Sequence, residues 1–494
     1  MSRQAVPQQA VSQQAVSQQA VSQQAVPRLA VSRLAVIGGG ISGLAAARRL
    51  AAICPRSQVL LLEASGELGG KLRRVEVGGA WVDVGAEAML ARRPEAVAEV
   101  IDCGLGADLI HPMTSEALIR NRGRNRPLPG RTLMGLPADL GAVRAADVLS
   151  AQSLARIEAE PALGPYPPLA DDVSVGHLVT GRFGSEVTRR LVDPLLGGIY
   201  AGHADAISMQ AALPALATRL MSVGGSLLEA VRASVSGVVP GPVFVSIKGG
   251  LGRLPRTIAA AGGFEARTRA TVRELHRTSD GFRLVLGSSH QSEVILADAV
   301  VIATPAAKSA QLLSRIAPAA ATELAEIDSA SMAIVTLAFA GQPPVGLPPG
   351  SGLLVPDIEG LAVKAMTFSS QKWPGVGDES GVTLMRGSFG RAGEAWTLHR
   401  EDSELVAVMH RELAAITGIA RDPVDTHVQR WGGALPQYAV GHVACIRRIR
   451  TAIAQVPGLA VCGASYDGVG IAACIASAHL AADRVMAYLS EAGQ

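Results

Sequence analysis

The feature that most constrains this chain is the stretch RLAVIGGGISGLAAARRL at residues 33–50. Leu34, Ala35, Val36 and Ile37 are apolar without polar alternation, as a strand buried on both faces of a parallel sheet requires. Gly38, Gly40 and Gly43 then match G-x-G-x-x-G. The first glycine permits a tight turn, the second lets a pyrophosphate approach the backbone, and the third lets the next helix pack close to the strand. Residues 44–50 are good helix formers. The N-terminus of that helix offers free N–H groups and partial positive charge to a phosphate. A second apolar run, QVLLLEA, brings Glu63 twenty residues after Gly43. A carboxylate there accepts hydrogen bonds from ribose hydroxyls. Taken alone, Glu63 also reads as a surface acid after a strand. The order strand, turn, helix, strand, acid favours a nucleotide.

Composition narrows the rest. A chain of 494 residues, 48% hydrophobic, has room for two or three domains with sizeable cores. A net charge of +3 gives no reason to expect nucleic acid, and 3% aromatics leave few base-stacking platforms. The five cysteines (54, 103, 445, 462 and 474) form no C-x-x-C, and the histidines no H-E-x-x-H. Metal and structural-disulfide readings are therefore disfavoured, and reduced thiols in the cytoplasm are expected. The uncharged stretch 329–356 is broken by prolines and glycines and reads as a strand plus loops, so no transmembrane segment is expected. Residues 1–32 are a QQAVS pentapeptide array, expected to be a disordered extension, with a helix or partner-binding arm as the alternative.

Further along, AWVDV (80–84) reads as a strand, followed by the small residues of Gly85–Ala88 and a helix beginning near Pro94. The stretch ALIRNRGRNRPLP reads as a hairpin carrying Arg120, Arg122, Arg124 and Arg126. Such a cluster is either a solvated turn or, through the planar guanidinium fork, a trap for carboxylates. Residues 135–237 read as mostly helical. Strands and glycine turns return from 243 onward, and LAVCGASYDGVGIAACI (459–475) is a strand, a glycine turn and a helix whose N-terminus near Gly470 can stabilise negative charge.

These stretches carry a resemblance. VIGGGISGLAAARRL, GGAWVDVGAEAML, LVDPLLGGIYAGHADAISM, SIKGGLGRLP, FSSQKWP, WGGALPQYAVGH and CGASYDGVGIAACIASA together resemble the flavin amine oxidase superfamily, and within it the protoporphyrinogen/coproporphyrinogen III oxidases, from about residue 33 to the end. The soluble Gram-positive members are most similar. Gly69-Gly70 is typical of FAD proteins of this kind, although Arg74 stands near where many relatives have threonine or serine. The resemblance implies an α/β fold: a Rossmann-like FAD-binding domain of the glutathione reductase/amine oxidase type, interleaved with a mixed-sheet substrate domain and a helical region. The expected segments are 33–90, 238–310 and 426–494 for FAD, 91–237 for the helical part, and 311–425 for substrate. FAD would touch Gly38, Gly39, Gly40, Ile41, Ser42, Gly43, Glu63, Ala64, Lys71, Gly85, Ala86, Glu87, Ala88, Val272, Trp431, Val469, Gly470 and Ile471.

The reaction implied is removal of hydrogens from a porphyrinogen, with hydride passing to flavin and O₂ reoxidising it to give H₂O₂. The flavin carries the chemistry, and no catalytic side chain is demanded. Coproporphyrinogen bears four propionates. Arg120 and Arg122 are the first candidates to meet them; Lys364 and Lys372 come second, with a surface position as their plainer reading. An amine oxidase, a carotenoid desaturase, or a non-enzymatic binding protein of the same fold are the alternatives. Residues 91–237 could touch a membrane surface or a ferrochelatase partner.

Overall fold

The computed structural model describes residues 32–165, 171–222, 225–237, 241–288, 290–341, 343, 346–394 and 399–492. The pentapeptide tail lies outside the described residues except for Ser32. The apolar run that follows it forms the strand Arg33–Ile37, central in a five-stranded parallel sheet. Gln58–Leu62 and Ala299–Ile302 flank it, with Glu265–Arg267 and Leu459–Val461 at the edges. Successive side chains of a strand point to opposite faces, and here both faces are buried. Leu34 and Val36 join Val59, Leu61 and Val301 in a core shared with the helices Ile41–Ile53 and Ile471–Ala492. Ala35 and Ile37 join Leu62, Val300 and Ile302 in a second core, beneath the antiparallel strands Val272–Thr278, Gly281–Gly287 and Ser292–Ala297 and the helix His442–Ala454. The missing polar alternation of residues 34–37 thus has a cause: neither face meets water.

The strand order reverses between Arg33–Ile37 and Ala299–Ile302. In open α/β sheets the crevice beyond the carboxyl ends at such a reversal is where ligands bind. The G-x-G-x-x-G turn begins there.

A second, seven-stranded sheet runs in the order Asp425–Pro436, Ser329–Ala340, Val382–Phe389, Val363–Thr367, Gly352–Leu354, Leu118–Asn121, Arg124–Pro127. It is antiparallel except where Gly352–Leu354 meets Leu118–Asn121. The helix Asp402–Thr417 covers one face through Leu405, Met409 and Leu413. Two expected boundaries shift. Strand Asp425–Pro436 belongs to this sheet, so the chain returns to the nucleotide domain only after 436. The expected helical region lends its arginine hairpin to the sheet's far edge. Local composition does not reveal which sheet an edge strand joins.

The remaining part of 91–237 is mainly helical and packs its own core around Phe183, Leu191 and Leu216. Among the described residues no helix is long and apolar enough to cross a membrane.

Candidate active site

The glycine turn shows three different uses of a missing side chain. Gly38 has φ +108°, and a Cβ there would lie 2.9 Å from the Ala303 carbonyl oxygen. A Cβ at Gly43 would lie 1.8 Å from the Gly38 carbonyl oxygen, so the helix Ile41–Ile53 can start against the strand only with glycine. A Cβ at Gly40 would meet nothing within 4 Å. That position faces open space, as a phosphate approaching the backbone needs. No side chain caps the helix, and its first turn carries no acid, so its leading amides and dipole are available to an anion.

Glu63 closes one side of the cradle. Its carboxylate accepts from the Gly39 amide at 2.6 Å and the Ser65 amide at 2.7 Å. The Glu63 carbonyl accepts from the Ala270 amide at 2.8 Å, which brings the start of strand Val272–Thr278 close to Glu63 and the exposed Ala64.

The far end of the groove is built from three distant segments. Lys71 Nζ donates to the Ala434 carbonyl, and the Ala86 amide donates to the Lys71 carbonyl at 3.1 Å. A Cβ at Gly85 would lie 1.9 Å from that same carbonyl and 3.2 Å from the Trp431 ring. Trp431 Nε1 donates to the Val84 carbonyl at 2.8 Å. Burial pushes the Lys71 ammonium below the ordinary lysine range, with the Cys474 thiol opposing. Cys474 stands in the first turn of Ile471–Ala492 and interacts with Ser42 of the glycine turn. Its Sγ lies 3.7 Å from the Gly468 carbonyl oxygen. Residues 38–43, Lys71, Gly85, Ala86, Trp431 and the 469–471 turn therefore converge from opposite ends of the chain.

Glu87 and Ala88 continue the segment, but Glu87 is more than lining. Its carboxylate receives Lys372 Nζ and Arg386 Nη1, each at 2.6 Å, and Arg386 Nη2 also donates to the Gly85 carbonyl at 2.9 Å. Burial alone would raise the Glu87 carboxyl. The two cations outweigh it, with a hydrogen bond from Lys372, and bring it down to about 2. Beside it Asp83 accepts the Leu251 and Gly252 amides at 2.8 and 2.9 Å; burial pushes it up to about 6 against those bonds.

Sequence reasoning missed Arg386. The signal was there: one arginine inside the apolar strand VTLMRGSF. The surface reading of the two lysines is corrected. The Lys372 side chain is 14% exposed and paired with Glu87, and Lys364 is 4% exposed. The arginine hairpin is not brought to the groove. Arg120 donates to Asn125 Oδ1 at 2.8 Å, Arg122 pairs with Glu186, and Arg126 pairs with Asp147. Five strand spacings of ~4.8 Å put Arg120 roughly 24 Å across the sheet from the strand of Trp431. Arg120 and Arg122 were expected to meet propionates; at the sheet edge Arg120 instead bonds the neutral Asn125 side chain, while Arg122 and Arg126 meet local acids.

The glycine turn can take an anion at its open amides, and Lys71 with the Lys372–Glu87–Arg386 cluster puts cations at the opposite end. A family model described as "Flavin containing amine oxidoreductase" matches residues 41–486. A coproporphyrinogen III oxidase of Mycobacterium tuberculosis is 38% identical over 455 residues, covering 92% of this chain and 97% of its own. The chain belongs to the flavin-containing amine oxidoreductases, on their coproporphyrinogen III oxidase branch. It is a flavin-dependent oxidoreductase. The coproporphyrinogen III oxidase of Staphylococcus aureus is 29% identical over 467 residues, covering 92% of this chain and 99% of its own. The crystal structure of an Exiguobacterium protein provisionally named protoporphyrinogen oxidase has a TM-score of 0.81 and 30% identity, covering 92% of this chain and 98% of its own.

Proposed function

We propose that this protein is an FAD-dependent oxidase that converts coproporphyrinogen III to coproporphyrin III in heme biosynthesis, with O₂ as acceptor and H₂O₂ as the second product. The observation that carries the reading is the mycobacterial coproporphyrinogen III oxidase, similar across 97% of its own length; the glycine turn, open at Gly40, supports it. Bound FAD supplies the hydride acceptor and passes the electrons to O₂, so loss of six hydrogens from the macrocycle turns three O₂ into three H₂O₂.

The chain's own residues bind and orient. The leading amides of Ile41–Ile53 take the diphosphate, and Glu63 offers its carboxylate to ribose hydroxyls. Lys71, the Lys372–Glu87–Arg386 cluster and the N-terminus of Ile471–Ala492 give the ring end fixed positive charge in a poorly hydrated place, where it acts strongly on developing negative charge. Gly85 packs directly against the Trp431 ring, whose Nε1 donates to the Val84 carbonyl, so backbone and indole together form one wall of the ring end. The five cysteines, all unpaired, accord with a cytoplasmic location. The test is stoichiometry: purified protein given coproporphyrinogen III should consume three O₂ and form three H₂O₂ for each porphyrin. Porphyrin formed with no oxygen uptake above the uncatalysed rate would refute it.

A further inference from the structure

Lys364 lies on strand Val363–Thr367 where the pairing with Val382–Phe389 slips between Val363 and Ala365. A bulge adds a residue and re-aims side chains. Here it leaves Lys364 buried, at 4% exposure, and its Nζ has no hydrogen-bond partner among the described residues. Burial and the Arg391 guanidinium beside it hold the ammonium down to about 7, with Glu394 opposing. Arg391 is 7% exposed, and its Nη2 donates to a neutral acceptor, the Val355 carbonyl, at 3.3 Å. Lysine is almost never fully buried without a partner, and a second buried cation beside it makes the arrangement costlier still. Two such cations persist where an anion completes them.

Their position says which anion. The Ala392 amide, next to Arg391, donates to the Ala201 carbonyl at 2.6 Å. The adjoining Tyr200 carbonyl accepts from Gln437 Nε2 at 2.7 Å, three residues beyond the Ala434 carbonyl that holds Lys71. The cations thus sit on a seam that leads into the ring end of the flavin groove. We propose that Lys364 and Arg391 form the seat for one propionate carboxylate of the tetrapyrrole and select macrocycles with a free acid at that corner. The proposal rests on the porphyrinogen reading above. A carboxylate has acceptors for both the rotating ammonium and the guanidinium fork.

The test uses the holoenzyme and Lys364→Met, which keeps the stem and removes the charge. The KM for coproporphyrinogen III should rise about tenfold or more with kcat within about twofold, as loss of a charged hydrogen bond implies. The KM for its tetramethyl ester should stay unchanged. Fluorescence titration with coproporphyrin III should show the same loss of affinity, and Lys364→Arg should restore most of it. Equal effects on acid and ester, or none, would overturn the seat. The melting temperature of the substrate-free variant should rise, because an uncompensated buried charge is gone; a fall would show that Lys364 is already paired and would overturn the proposal as well. A wild-type protein that turns over no porphyrinogen would instead refute the substrate reading.

Discussion

Glu87→Gln keeps the shape of the side chain and removes its charge, leaving Lys372 and Arg386 facing each other without the carboxylate that each meets at 2.6 Å. All three side chains are largely buried, at 14%, 14% and 8% exposure, so solvent screens them little. A carboxyl brought from 4.5 to about 2 corresponds to roughly 3 kcal/mol. Breaking a buried pair from one side typically costs about 3–5 kcal/mol, in line with this. The pH dependence has a definite sign. The folded-state value is depressed, so the contribution is present above the unfolded value of 4.5 and fades as pH falls from there toward 2. Urea unfolding of both proteins at several pH values is the assay. The gap should be roughly 3 kcal/mol and flat from about pH 8 to about pH 5.5, then narrow below about pH 4.5. A gap under about 0.5 kcal/mol, the range of an ordinary surface change, would mean that Lys372 and Arg386 do not hold the Glu87 carboxylate ionised. So would a gap that stays constant into acid.

Two other substitutions give contrasting outcomes. Gly43→Ala puts a methyl 1.8 Å from the Gly38 carbonyl oxygen, so the helix must move off the strand. The protein should purify with flavin at well under half the wild-type flavin-to-protein ratio, and undiminished flavin content would contradict the cradle. Arg122→Ala removes a guanidinium committed to Glu186 at the far sheet edge, and should leave KM for coproporphyrinogen III within about twofold of wild type. A tenfold rise in KM would restore Arg122 to the substrate site.

What the sequence made legible is what short-range physics encodes. The buried strand Arg33–Ile37, the glycine turn and the position of Glu63 depend on contacts close along the chain or on backbone geometry that only glycine allows. The helix at Pro94–Asp102 and the C-terminal helix starting at Ile471 were legible for the same reason. The charge cluster was not. Glu87 meets residues 285 and 299 positions away, and nothing local in FSSQKWP or VTLMRGSF says which acid will face them. Lys364 read as a surface residue because its burial follows from a register slip between two strands. The arginine hairpin was seen, but its partners Glu186, Asp147 and Glu359 come from other segments, and they decide between solvated turn and substrate contact.

On the proposed function, a porphyrinogen gives up hydride to a flavin held in this groove. Anaerobic mixing of the purified yellow protein with coproporphyrinogen III, followed in a stopped-flow spectrometer, tests it directly. The flavin's visible absorption should bleach within the enzyme's turnover time and return when oxygen is admitted. A flavin that stays oxidised in the presence of excess porphyrinogen would contradict it.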